Sequence, residues 1–129
     1  MRNYEGGRGY YKNGNLKDEL LIDAYDNAVM KAYYPNGKLM LETNGKNGKI
    51  EGVEKHYHEN GKLKMEVPYT NDEREGVLKY YNEEGEYRYE ILYGVGTAAN
   101  GRCANGKLLL PSMLKTLGMG EDTAVCDER

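Results

Sequence analysis

From about Arg8 to Tyr93 short runs of alternating apolar and polar residues are broken by polar turns, and the pattern returns every 23 or 24 residues. The turn glycines Gly14, Gly37, Gly61 and Gly85 stand 23, 24 and 24 residues apart. Each has a tyrosine four residues before it (Tyr10, Tyr33, Tyr57, Tyr81) and a glutamate five after it (Glu19, Glu42, Glu66, Glu90). Gly52-Val53 and Gly76-Val77 recur at the same period, with Ala28-Val29 as a weakened earlier copy. So many coincident offsets mark an internal repeat. Asn13-Gly14, Asn36-Gly37 and Asn60-Gly61 signal hairpins, since a type I′ turn needs positive φ at both central residues.

Centring a two-residue turn on each pair sets the strand register. Arg8 then opposes Glu19, Lys31 opposes Glu42, Lys55 opposes Glu66 and Lys79 opposes Glu90, while Tyr57 faces Lys64. A cation across from a glutamate in every hairpin contributes roughly 0.2–1 kcal/mol and holds the register. One face carries Tyr10, Tyr33, Tyr57 and Tyr81 with this charge ladder. The other carries the pairs Tyr34–Leu39, Ala32–Leu41, His58–Leu63, His56–Met65, Tyr80–Tyr89 and Leu78–Ile91. Residues 44–51 and 70–75 form short polar loops at the opposite edge. The pattern predicts an all-β fold: an elongated antiparallel meander of stacked hairpins with about eight twisted strands. Gly61 is expected to suffer more from Val than Gly48, which this register puts in a longer, adjustable loop.

Composition narrows the picture. The 129 residues include 13 Tyr but no Phe or Trp, and only 39% are apolar, so a thin structure fits better than a thick core. A net charge of −3 argues against a nucleic-acid partner. No run of residues is long and apolar enough for a membrane helix. Residues 1–6 lack an apolar stretch, so no signal peptide is visible and the expected compartment is cytoplasmic. The half-unit at residues 4–9 reads as an array cut short.

Beyond Tyr93 the period breaks. Residues 1–93 are read as the repeat array and residues 94–129 as a linker and C-terminal capping tail. Within the tail, residues 94–99 are small and unpatterned, like a linker, and Asn105-Gly106-Lys107 echoes a turn. Ser112 and Gly118 could bracket a helix of under two turns, too short to stand alone. Residues 121–129 are polar and expected to fray. Leu108, Leu109, Leu110, Met113, Leu114 and Leu117 form a dense apolar set. They are expected to fold back over the last two hairpins at Tyr80, Tyr87, Tyr89 and Ile91, leaving Tyr34, His56 and His58 free for a partner.

Candidate chemistry is sparse. His56 and His58 share a strand face with Glu54 alongside, but a flat sheet seldom completes a coordination shell, so no metal is expected. Cys103 and Cys126 allow either a disulfide or two free thiols. No nucleophile, carboxylate pair or phosphate loop is apparent, so neither catalysis nor a cofactor is expected. The candidate partner-binding residues are Tyr34, His56, His58, Tyr80, Tyr87 and Tyr89, with Gly14, Gly37, Gly61 and Gly85 as structural turns.

The run Tyr33-Tyr34-Pro35-Asn36-Gly37-Lys38-Leu39, with the trailing Gly52-Val53-x-Lys55-x-Tyr57, resembles the MORN-repeat variant common in bacterial proteins. Glu84 and Tyr87 in the fourth unit, and Ala28 in the first, depart from it. The resemblance implies stacked hairpins with protein or lipid contacts and, in bacteria, an antitoxin or immunity role beside a toxin. The expected function is therefore a non-enzymatic protein-binding module, antitoxin- or immunity-like. The alternative is a peripheral membrane module.

Overall fold

The computed structural model describes residues 5–127; Tyr4, part of the expected half-unit, and residues 128–129 lie outside them. Eleven strands form one antiparallel sheet: β1 (Glu5–Tyr10), β2 (Leu16–Ile22), β3 (Asn27–Tyr33), β4 (Leu39–Lys46), β5 (Lys49–Ile50), β6 (Gly52–Tyr57), β7 (Leu63–Thr70), β8 (Glu73–Arg74), β9 (Gly76–Tyr81), β10 (Tyr87–Gly94) and β11 (Thr97–Cys103). The order is β1-β2-β3-β4-β6-β7-β9-β10-β11, with the two-residue strands β5 and β8 appended to β4 and β7. The predicted meander is what forms, with more strands than expected. The accessible surface is 8182 Å², against about 6,900 Å² for a compact monomer of this mass. The chain is a thin ribbon.

All four predicted cation–glutamate pairs stand opposite one another. The register between hairpins joins them further. Arg8, Glu19, Lys31, Glu42, Lys55, Glu66, Lys79, Glu90 and Arg102 make one row across nine strands, alternating in sign at every step. Side chains meet at Arg8–Glu19 (3.2 Å), Lys31–Glu42 (3.8 Å) and Arg102–Glu90 (3.7 Å).

The turns differ from expectation. At Asn13-Gly14, Asn36-Gly37 and Asn60-Gly61 only the glycine has positive φ. Gly37 N–H donates to Tyr34 O and Tyr34 N–H to Lys38 O, and the same two bonds recur at His58, Gly61 and Lys62. This is a three-residue loop, a type I turn closed by a left-handed glycine. Pro35 suits it, because its fixed φ fits the first central position of a type I turn. The Asn side chain stiffens it: Asn36 Oδ1 accepts from Lys38 N–H at 2.8 Å and Asn60 Oδ1 from Lys62 N–H at 2.9 Å. Where Glu84 replaces that Asn, Asn82 substitutes, accepting from the Glu84 and Glu86 amides.

The extra loop residue is absorbed by a bulge in the returning strand. Leu39 therefore faces Tyr33, not Tyr34, and Leu63 faces Tyr57, where His58 and Lys64 had been paired with Leu63 and Tyr57. The same bulge sets Tyr87 opposite Tyr81, moving it to the charge-ladder face. Beyond the bulge, Ala32–Leu41, His56–Met65, Tyr80–Tyr89 and Leu78–Ile91 pair as predicted.

Type I′ turns occur at the other edge, at Asn47-Gly48 (φ 53° and 79°), Asn71-Asp72 (49° and 70°) and Val95-Gly96 (44° and 85°). Gly48 thus sits in a tight two-residue turn rather than an adjustable loop. Gly48→Val and Gly61→Val should each lower stability, by about 1–3 kcal/mol, with similar losses in thermal melts. Val95 is a β-branched residue in a left-handed turn position and 65% exposed. Val95→Asn should raise stability by about 1 kcal/mol, read as a higher melting temperature.

The tail is more ordered than its composition implies. Residues 94–99 are not a linker: β11 pairs with β10 from Thr97 to Cys103. Small residues there serve close packing, since a Cβ on Gly101 would lie 2.8 Å from Leu114 Cδ2. The turn at Asn105-Gly106, fifth in the series, is complete, with Gly106 N–H donating to Cys103 O. A single 3₁₀ turn (Pro111–Met113) leads into the helix α1 (Leu114–Leu117). Neither the predicted Ser112 cap nor a left-handed Gly118 forms, since the helix N-terminus has no side-chain cap and Gly118 has φ −65°. The residues expected to fray are fixed through Asp127, because Cys126 forms a disulfide with Cys103.

Candidate functional site

The turn edge is a hydrogen-bonded stack, and it uses two of the candidate binding residues. The Tyr34 hydroxyl donates to Tyr57 O at 2.6 Å, and His58 Nε2 lies 2.8 Å from Tyr81 O. Tyr11 makes the equivalent bond to Tyr33 O, so the position after three of the four ladder tyrosines ties its hairpin to the next, while Asn82, after Tyr81, bonds within its own turn. Asn36 and Asn60 add amide bonds to the carbonyls of Glu59 and Glu83, and Lys38 and Lys62 add bonds to Asn60 O and Glu84 O. His58 is buried, and burial with the nearby Glu59 charge raises the Tyr34 pKa.

The charge-ladder face is solvated. Tyr87 packs its ring 5.8 Å from that of Tyr81 and is 38% exposed. Burial, then the charge and hydrogen bonding of Glu90, push its hydroxyl up to about 12.

The opposite face divides in two. Over β7, β9, β10 and β11 the tail covers it, as predicted. The buried hydrophobic residues among those described run from Met65 to Cys126, and Tyr89, Leu78, Ile91 and Val67 are wholly buried. Tyr80 and Tyr89 stack with centroids 4.8 Å apart. The Tyr89 hydroxyl lies 2.8 Å from Leu117 O and 2.6 Å from Glu121 O, so its one proton serves both carbonyls. Tyr80 and Tyr89 are therefore internal supports, not exposed anchors.

Two arginines with no sequence signature fasten the cover. Arg74 donates through Nη1 to Gly118 O (2.7 Å) and the Tyr93 hydroxyl (3.0 Å), with its guanidinium over the Tyr93 ring. Arg88 pairs with Asp122 (2.9 Å) and Asp127 (2.7 Å) and donates to Thr123 O.

Over β2, β3 and β4 the same face has no cover among the described residues. Register places Leu20 beside Met30 and Thr43, Ile22 beside Ala28 and Gly45, and Ala32 beside Leu41. Leu20 is 37% exposed; Ile22, Met30 and Leu41 are half-buried. A groove of about 270 Å³ runs between Leu20, Ile22, Met30 and Ile50, with Lys46 and Lys49 at its rim. Where the open and covered regions meet lie Glu54 and His56, 2.7 Å apart. Burial opposes the Glu54 charge, but the hydrogen bond and charge of His56, with Thr43 and the Arg74 charge, together outweigh it and hold the carboxyl below its ordinary range. Of the six candidate residues, His56 alone borders this open surface. The sequence reading missed Leu20, Ile22 and Met30; period-two alternation in β2 and β3 was the available signal.

Among the described residues no group of three His, Cys, Asp or Glu side chains could hold a metal ion. No helix among the described residues is long and apolar enough to cross a membrane.

No curated protein sequence matches the chain. Two crystal structures align with 90% of it at 11% identity and a TM-score of 0.39. One is of TarM; the other is of an S. aureus TarM point mutant in complex with Fondaparinux, alpha-GlcNAc-glycerol and UDP. The chain spans about a quarter of the length of these proteins. The MORN repeat variant matches residues 26–47 and 50–71, and each match covers one Asn-Gly hairpin, β3–β4 and then β6–β7. The middle of this sheet is thus similar, over two adjacent hairpins, to the MORN repeat variant.

Proposed function

We propose that the protein is a non-enzymatic binding module that engages a protein partner on the open face of β2, β3 and β4. One observation carries the reading: a single sheet face is sealed by the chain's own tail at one end and left apolar and accessible at the other. An apolar strip rimmed by polar groups is the usual form of a recognition surface. Leu20, Ile22, Met30 and Leu41 supply the area, and Glu54, His56, Lys46 and Lys49 supply directional contacts at its border. The class of partner we propose is a small bacterial toxin whose functional surface is masked, making this chain antitoxin- or immunity-like. The net charge of −3, suited to a basic partner, favours that finer reading.

The test pairs the chain with the product of the adjacent open reading frame, expressed together in a host that the second protein harms. Wild type should restore growth and co-purify with that protein. Met30→Glu should abolish both, while Val77→Glu on the ladder face should leave both unchanged. Rescue by Met30→Glu would contradict the open face as the binding surface. Flotation of wild type with anionic vesicles at physiological salt would contradict the protein-partner reading in favour of lipid contact.

A further inference from the structure

The two ends of the sheet are unlike. At β11 the row position is closed by the chain itself, with Leu108 bridging Arg102 and Leu109 N–H donating to Gly101 O. At β1 no described strand pairs with the outer side, so alternate N–H and C=O groups face outward. The charge row reaches that edge on a cation, Arg8, whose side chain is 55% exposed.

Every strand that pairs with a cation of this row presents a glutamate. In β4, β7 and β10 that glutamate is flanked by larger residues: Leu41-Glu42-Thr43, Met65-Glu66-Val67 and Tyr89-Glu90-Ile91. β1 offers the complementary shape, with glycines on both sides of its cation, Gly7-Arg8-Gly9. A Cβ at Gly7 would meet nothing within 4 Å. Space is thus available beside Gly7 for one bulky neighbour of an incoming carboxylate, whereas a Cβ at Gly9 would run into Asp18 Oδ1, so that flank is already filled.

We propose that the outer edge of β1 is a strand-addition site for an extended partner segment carrying a carboxylate opposite Arg8 and a bulkier residue opposite Gly7. The nine-strand row discriminates against copies of this chain. It ends on Arg8 at one side and Arg102 at the other, so joining any two edges sets cation against cation. The edge therefore selects an acidic strand and resists self-polymerisation. This inference uses the backbone edge of β1, which borders the open face at Leu20, and its test reads that edge rather than the face.

The probe is a fluorescent peptide with the sequence of Leu39–Lys46, and its control carries Glu42→Lys. Affinity is read by anisotropy with the full chain, and hydrogen exchange reads protection of residues 5–10. The glutamate peptide should bind roughly 2- to 30-fold more tightly than the lysine peptide and should slow exchange in β1 specifically. Arg8→Gln, which leaves Glu19 paired with Lys31, should abolish the discrimination. Equal affinity of the two peptides for wild type would overturn the proposal. So would retained preference in Arg8→Gln, no protection of β1 at millimolar peptide, or self-association of the full chain through β1 in cross-linking.

Discussion

A chain ending at Leu108 is expected to self-associate while its first hairpins stay folded. Truncation removes Leu109, Leu114, Leu117 and Cys126 from the core and uncovers Met65, Tyr80, Tyr89, Ile91 and Tyr93. Each such side chain contributes about 1.5–3 kcal/mol by staying out of water, so the exposed sheet gains a strong drive to pair. Arg74 loses the Gly118 carbonyl and Arg88 loses Asp122 and Asp127, leaving two cations on an apolar face. The hairpins from β1 to β4 do not depend on the tail, because their ladders and turn bonds are local. Sedimentation should show oligomers, with β-type circular dichroism retained and hydrogen exchange in β2 and β3 close to that of the full chain. A truncated protein that stays monomeric with an unchanged melting temperature would show that the tail covers nothing of consequence.

Tyr89 is the side chain whose loss is expected to cost most. Tyr89→Ala removes a wholly buried ring stacked on Tyr80 and should destabilise by about 3–5 kcal/mol, as for other buried aromatics. That is a large part of the roughly 5–15 kcal/mol that holds an ordinary domain together. Tyr89→Phe keeps the ring but strands the carbonyls of Leu117 and Glu121, for a loss of about 1–3 kcal/mol. Denaturant titration with tail fluorophores should show the tail released first in both variants. Alkali should act through the same residue. Burial, with the nearby Tyr80 and Asp122, raises the Tyr89 pKa far above its ordinary 10. The folded state therefore keeps a proton that the unfolded chain releases. Its contribution is complete below pH 10 and is lost progressively as pH rises above that value. Tyr87, raised to about 12, adds to the loss between pH 10 and 12. Melting temperatures should fall steeply above pH 10, and less steeply in Tyr89→Phe.

The charge ladder was legible in the sequence because it tests itself: a one-residue slip would have set Lys31, Lys55 and Lys79 against uncharged residues such as Leu41, Met65 and Tyr89. The turn type was not, because an Asn-Gly pair serves a type I′ turn and the last two residues of a three-residue loop equally well. What decides is Pro35 and its counterparts one residue earlier, together with the bulge in the returning strand. That one residue moved Tyr87, Leu39 and Leu63 to the other face. β11 was hidden because Thr97, Ala98, Ala99 and Gly101 have little side chain with which to announce a strand. Tail docking was readable from its density of leucines, whereas its fastening by Arg74 and Arg88 was not, since single arginines carry no period. For the candidate site, tyrosine content drew the reading to Tyr34, Tyr80 and Tyr89, which serve the hydrogen-bonded stack and the covered core. The aliphatic residues of β2 and β3 give the open surface.

Methionine oxidation tests the division of the face most directly, because Met30 lies on the open part and Met65, 2% exposed, on the covered part. Under limited peroxide, read residue by residue by mass spectrometry, Met30 should oxidise well ahead of Met65 in the full chain. Removal of residues 109–129, at dilutions where the truncated chain is monomeric, should bring Met65 up to the rate of Met30. Equal rates in the full chain, or a Met65 that stays protected without the tail, would contradict the account.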